Sequence, residues 1–516
     1  MIRRSVLFGV LLICLAALYH QTKTQAQLCR LTLTLVDAES KETIPGVVRC
    51  FAQSGGPAIP LAGSLSRGQG LKGNDAIQDW YVISQAEEIL LPRQQLRLEA
   101  LAGLETELAT ALIDLTGQDR ISLTIPIRTF SRISKDGWYA GNTHLHLSNL
   151  NQDQADRYLK EIPRADRLEV LFISYLERAL VDKDYITNRY PIGDLTEFWS
   201  TGVLVNNGEE HRHNFGDQGE GFGHVMLLNI KRLIQPVSIG QGISRSGTDG
   251  TTLQMGIDDA HRQGGVAIWC HNSWGLEDVP NFVSGKLDAQ NIFDGGAHGS
   301  YEDGFYHYLN AGIRVPFSTG TDWFIYDLAR VYVGVRGSLG IKPWLDALVA
   351  GRSFITNGPI LKLTVQGREI GATVELKQPQ EVLVQAEGTG RSNFEKLELV
   401  KNGRVIAQAN TQPHEGTFQA QLQQRVRIQE PAWLALRIST QATNEYGRPL
   451  FGHTSPVYIT VEGRSIRMDQ EVAYLREQIR QARRAIAAQA VFATKEERER
   501  VLSVYERAVA LLEQRS

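Results

Sequence analysis

Cysteine is scarce, with four residues in 516. None has Cys-x-x-Cys spacing, so a thiolate zinc site has no support. Cys29 and Cys50 lie in one β-rich stretch and are placed to pair if the compartment is oxidising. Cys270 sits in an apolar run and reads as an inert buried thiol. Lys/Arg blocks are missing, and 54 basic residues stand against 57 acidic ones for a formal charge of −3. That balance argues against a nucleic-acid partner. Long apolar runs are missing too. The single candidate, Val6 to Tyr19, is shorter than the roughly 20 residues a membrane span needs. No internal repeat is evident. Otherwise the composition is that of a globular protein, 42% hydrophobic and 22% charged.

The first residues read as an export signal. Arg3 and Arg4 precede the apolar run, and Thr24-Gln25-Ala26 offers small-residue cleavage before Gln27. Ile13 and Leu28 precede Cys14 and Cys29, where a lipoprotein would have a small residue. The expectation is an exported protein, periplasmic or extracellular, with no stable membrane insertion after the signal (1–26) is removed.

A chain of this length divides into several domains. Residues 27–132 alternate in the manner of short strands (Leu31, Leu33, Leu35; Leu96, Leu98; Ile121, Leu123, Ile125), predicting a β-sandwich. Residues 133–358 alternate apolar strands (168–174, 202–206, 223–230, 265–271, 313–319) with helical patterns (152–162, 252–263, 341–350). This predicts a parallel α/β sheet, open or closed into a barrel. Residues 359–463 return to alternating strands, predicting a second sandwich. Residues 464–516 predict a solvated, self-paired helical hairpin hinged near Phe492, with Thr494-x-x-Glu497 as a capping box.

Nine of the twelve histidines fall between 144 and 307, inside the α/β region. His144 and His146 stand two residues apart, so at strand period their rings leave one face. Glu210 follows the strand Val203-Leu204-Val205. His224 opens an apolar strand, His271 ends another, and Asp322 follows a third. Strand ends are where α/β folds gather their chemistry. Four imidazoles and two carboxylates suit two divalent ions, Zn, Mn or Fe, with one carboxylate bridging.

The series Gly141-Asn142-Thr143-His144-Leu145-His146, Gly208-Glu209-Glu210, Gly223-His224-Val225, Ala267-Ile268-Trp269-Cys270-His271 and Ser318-Thr319-Gly320-Thr321-Asp322 resembles the polymerase and histidinol phosphatase (PHP) superfamily. Within it, the stretches Gly351–Pro359 and His453–Tyr458 look like the carbaryl-hydrolase-like CehA/McbA branch. The opening β-region, with Ile44-Pro45-Gly46-Val47, resembles a carboxypeptidase regulatory-like module. The resemblance implies a multidomain chain with a central distorted (β/α)7 barrel between β-sandwich modules. It implies His144, His146 and Asp322 on a first metal, Glu210 bridging, and His224 and His271 on a second, with Glu210, His271 and Asp322 at the chemistry. Three positions depart from the family's third-metal pattern: Ile173–Glu177 lacks the Asp-His pair, Phe324 replaces a histidine, and Gln152 or Asp153 stands in an acidic or histidine position. The expectation is a binuclear hydrolase that activates a hydroxide for attack on a small-molecule phosphoester, carboxyl ester, carbamate or amide. The alternative is a catalytically silent metal-containing binding protein. His211, His213, Asn272, Trp274 and Arg330 are the candidate substrate-facing residues, with Asp217 and Glu220 in the same polar loop as the first two. His261 reads as surface, and His298 and His307 as packing.

Overall fold

In a computed structural model the protein is described over residues 28–73, 75–177, 185–215, 221–240, 247–271, 275–296 and 299–514. The proposed signal, Asp217, Glu220, Asn272, Trp274 and His298 lie outside these residues. Among the described residues no helix is long and apolar enough to cross a membrane.

The chain divides into two units. The first holds most of the described residues up to Thr129. One of its sheets has three strands, with Leu28–Asp37 between Glu87–Pro92 and Arg120–Ile127. A second sheet is built around Gly46–Ala52 and Gln95–Leu101. Alternation does the work: Cys29, Leu31, Leu33 and Leu35 are all fully buried and share one core with Val48, Cys50, Leu96 and Leu98 of the other sheet. Cys29 and Cys50 are free thiols there, not the pair expected. They sit on different sheets and serve as small apolar core residues.

The second unit carries everything from Phe130 onward. Its central strands run in the order Arg330–Gly334, Trp138–Asn142, Val170–Tyr175, Leu204–His213, Gly223–Leu228, Val266–Trp269, Ala289–Asn291, Phe317–Ser318. The chain beyond the last strand returns to the chain beyond Trp138–Asn142. Thr143 N donates to Thr319 O at 3.4 Å, and Leu145–His146 pairs in parallel with Asp322–Trp323.

Not all of these strands are parallel, as the alternation predicts. Gly223–Leu228 is antiparallel to both neighbours. Residues 214–222 are too few for a helical crossover, so the chain turns straight back. The reversal places the start of this strand, with His224, at the edge where its neighbours end.

Helices Gln152–Ala165, Leu253–Arg262 and Ile341–Val349 form where the periodicity predicts them. The first opens with a reciprocal capping box between Asn151 and Gln154.

The region after 359 is compatible with the expected sandwich module but is not detached from the central sheet. A five-stranded sheet includes Ile360–Val365, Gln380–Gly390 and Thr417–Ile428. The other strands extend the central sheet, because Gly452–Thr454 pairs with Ser353–Thr356. Nor is the C-terminal hairpin solvated. Val472, Leu475, Ile479, Ala482 and Ile486 of Asp469–Gln489, at alternating spacings of three and four, form one helix face. They join Leu502, Tyr505 and Leu512 of Lys495–Gln514 in the same core as Phe282, Tyr308 and Leu309.

Candidate metal centre

The strand ends converge on a buried polar cluster. Trp138–Asn142 delivers Thr143 to His146, Leu204–His213 delivers Glu210, and the turns after Val266–Trp269 and Ala289–Asn291 deliver His271 and Asp294. His144, His146, Glu210 and Asp294 are at most 1% exposed, and His224, His271 and Asp322 at most 7%. The approach is close enough to demand special backbone. A Cβ on Gly320 would stand 2.4 Å from the His144 Cβ. His271 and Asp322 adopt left-handed φ values of 55° and 58°.

Among the described residues three groups of donor atoms result: the first is His144–His146–Glu210–Asp322, the second Glu210–His224–His271, and a further one is His144–Cys270–Asp294. Within each, one ligand atom per residue lies within 4.8 Å of the others. In the first, His146 Nε2 is 3.0 Å from His144 Nε2 and 2.9 Å from Glu210 Oε2. Asp322 Oδ1 is 3.4 Å from His144 Nε2 and 3.6 Å from His146 Nε2. In the second, Glu210 Oε1 is 3.3 Å from His224 Nδ1 and 3.9 Å from His271 Nε2. Glu210 belongs to both, one oxygen to each. These buried His, Glu and Asp groups could hold a metal ion.

The first group's hydrogen bonds fit a cation between its members. His146 Nδ1 donates to Ser174 O at 3.0 Å, which leaves Nε2 as a lone pair. His144 Nδ1 donates to Asp294 Oδ2 at 2.6 Å, which aims its Nε2 lone pair at that of His146. Among the described residues no hydrogen-bond donor reaches Asp322 Oδ1. With both imidazoles neutral these are four buried acceptors facing one another, and they call for positive charge at their centre, which a proton on His144 or a metal ion supplies.

The titration behaviour agrees. Burial opposes a charged His144, but the Asp294 and Asp322 carboxylates overcome it and hold its imidazole well above the ordinary value. Burial likewise opposes a charged Glu210. Arg212 and then the two histidines win, and its carboxyl falls well below its usual range. Cys270, beside His144, is raised to about 12 by burial and stays a thiol.

All six sequence-predicted ligands therefore meet. Of the candidate substrate-facing residues, the three described ones, His211, His213 and Arg330, do not join them. His211 and His213 lie within the strand, not in a polar loop, and alternate away from Glu210. His211 Nδ1 donates to Glu209 Oε1 at 2.8 Å, and His213 Nε2 to Asp249 Oδ1 at 3.1 Å. Arg330 is buried and donates to Asp166 O and Leu328 O, a structural clamp. His261 is half-buried on Asp288, and His307 stacks on Tyr474 with ring centroids 4.0 Å apart. The third-metal departures are filled otherwise. Phe324 is buried against Tyr158, and Gln152 donates to Asp156 at the helix start.

Two residues escape the motif reading. Asp294 follows a strand of three residues, too short to show a period. Arg212 becomes visible once the strand is extended past Glu210, since alternation puts both on one face. Compared with models of known protein families and with curated proteins, the chain matches none.

Proposed function

We propose that the protein is an exported metal-dependent hydrolase of the PHP type, near the CehA/McbA branch, with the closed strand series as its distorted barrel. Glu210 carries this reading. One buried carboxylate offers an oxygen to each of two donor groups, an arrangement suited to bridging two divalent ions, Zn, Mn or Fe. When bound, such ions polarise a scissile carbonyl or phosphoryl group and acidify water at neutral pH. The remaining work falls to the chain. Asp294 and the Ser174 carbonyl fix the tautomers of His144 and His146 and aim their lone pairs inward. Tyr185 and Trp323 pack their rings on His146, at centroid distances of 5.7 and 5.3 Å, and limit water on that side.

The substrate is a small molecule with a phosphoester, carboxyl ester, carbamate or amide bond. The test is a panel of these four classes, offered to purified protein loaded in turn with Zn, Mn and Fe, beside His271→Ala. Hydrolysis of one class that is lost on chelation and in His271→Ala is expected. Bound metal with no turnover of any class would leave a silent metal-containing binding protein. Absence of bound metal after loading would overturn both readings.

A further inference from the structure

The second donor group already holds a cation that belongs to the chain. Arg212 stands two residues after Glu210 on Leu204–His213, so both side chains leave the same strand face. Its Nη2 lies 3.0 Å from Glu210 Oε1 and donates to His224 Nδ1 at 2.8 Å. His224 turns its other nitrogen to Asn214 Oδ1, 3.2 Å away, so Nδ1 is the atom it offers beside Glu210. The guanidinium thus occupies the two atoms that a second ion would need.

For a second ion to reach them the guanidinium has to move. Arg212 is 5% exposed, and its Nε and Nη1 reach no hydrogen-bond partner among the described residues. Orphaned buried donors make the docked position costly to hold, so a competing cation can displace it. Among the described residues no arginine or lysine reaches the first group. Its close contacts are His144, His146, Glu210 Oε2 and Asp322 Oδ1.

We propose that Arg212 and a second divalent ion compete for Glu210 Oε1 and His224 Nδ1. The centre fills its His144–His146–Glu210–Asp322 group first and takes a second ion only by displacing the guanidinium. This rests on the metal-centre reading and sets the order of its loading. The enzyme then passes between a one-ion and a two-ion form as the free metal concentration changes.

The experiment is equilibrium dialysis of the chelator-stripped full chain against buffered free Zn2+, with bound zinc counted per chain. The wild type is expected to bind one ion first. Its second step needs at least about tenfold more free zinc. Arg212→Met should bring both steps together. His224→Ala should keep the first step and lose the second, and circular dichroism checks that both variants are folded. If Arg212→Met does not fold, the wild-type steps and His224→Ala decide alone. Two ions entering the wild type in a single step would overturn the competition and leave the hydrolase reading standing. So would a folded Arg212→Met whose second step has not moved. No zinc binding at any concentration would overturn the centre itself.

Discussion

The two faces of the strand Leu204–His213 are equally buried and do opposite things. On one face Glu209, His211 and His213 pair off locally. His211 donates to Glu209 Oε1, Glu209 Oε2 accepts from Ile234 N at 2.7 Å, and His213 donates to Asp249. Asp249 in turn accepts from Val491 N at 2.7 Å, at the hinge of the C-terminal helices. On the other face Glu210 meets imidazole lone pairs and a buried guanidinium. Burial and residue type do not separate the faces, since both carry glutamate and face histidine. Pairing separates them. On the first face each side chain has a local protein partner; on the other, His144, His146 and Asp322 converge on Glu210 in a group that could hold a metal ion.

The largest test of that contrast compares neighbours. Glu210→Gln should lower metal-dependent turnover by more than about a hundredfold. Glu209→Gln should leave turnover nearly unchanged and lower stability by about 1–3 kcal/mol in urea unfolding. Equal losses in both would erase the distinction between the faces.

Asp294→Asn comes next. It keeps the size of the side chain but weakens the acceptor that orients His144. Metal affinity, read by competition with a chelator, should fall by about 10–100-fold. Unchanged affinity would make Asp294 a bystander.

His213→Ala probes the other face. It should cost about 1–3 kcal/mol of stability by removing the His213 partner of buried Asp249, with bound metal per chain unchanged. Loss of metal in a folded His213→Ala would show that the faces are not independent.

The smallest effect sharpens the contrast elsewhere. His453 is a buried histidine with both nitrogens satisfied: Nδ1 donates to Thr454 O and Nε2 accepts from Tyr306 Oη, each at 2.7 Å. Burial lowers it from 6.5 to about 3. Between those values the unfolded chain binds a proton that the folded chain refuses, so stability falls as pH drops from 6.5 towards 3. The slope from this group is at most about 1.4 kcal/mol per pH unit. Urea midpoints of wild type and His453→Gln should converge as pH falls. A constant gap between them would contradict a neutral, structural His453.

Much of the ligand set was readable because an apolar strand leads to it, as Trp138–Asn142 leads to His144 and His146 and Val266–Trp269 leads to His271. Antiparallel His224 was readable as a strand residue but not as a reversal, since direction leaves no mark on alternation. The readings of His211 and His213 went astray because their stretch looks like a polar loop. Its pairing with Gly223–Leu228 and with Ser238–Ile239 makes it a strand. Asp294 had too short a strand to announce it. The helical hairpin was legible as two helices from its caps and periodicity, but the surface that buries it is tertiary, drawn from Phe282, Tyr308 and Leu309 far away in sequence. The disulfide expectation failed because cysteine spacing does not tell which sheet each thiol joins.

The most direct measurement is metal content per chain, by elemental analysis, of wild type, Glu210→Gln and Glu209→Gln after identical loading and desalting. Bound metal that collapses in Glu210→Gln and survives in Glu209→Gln is the expected result. Wild-type metal content in a folded Glu210→Gln would contradict a bridging carboxylate at the heart of this site.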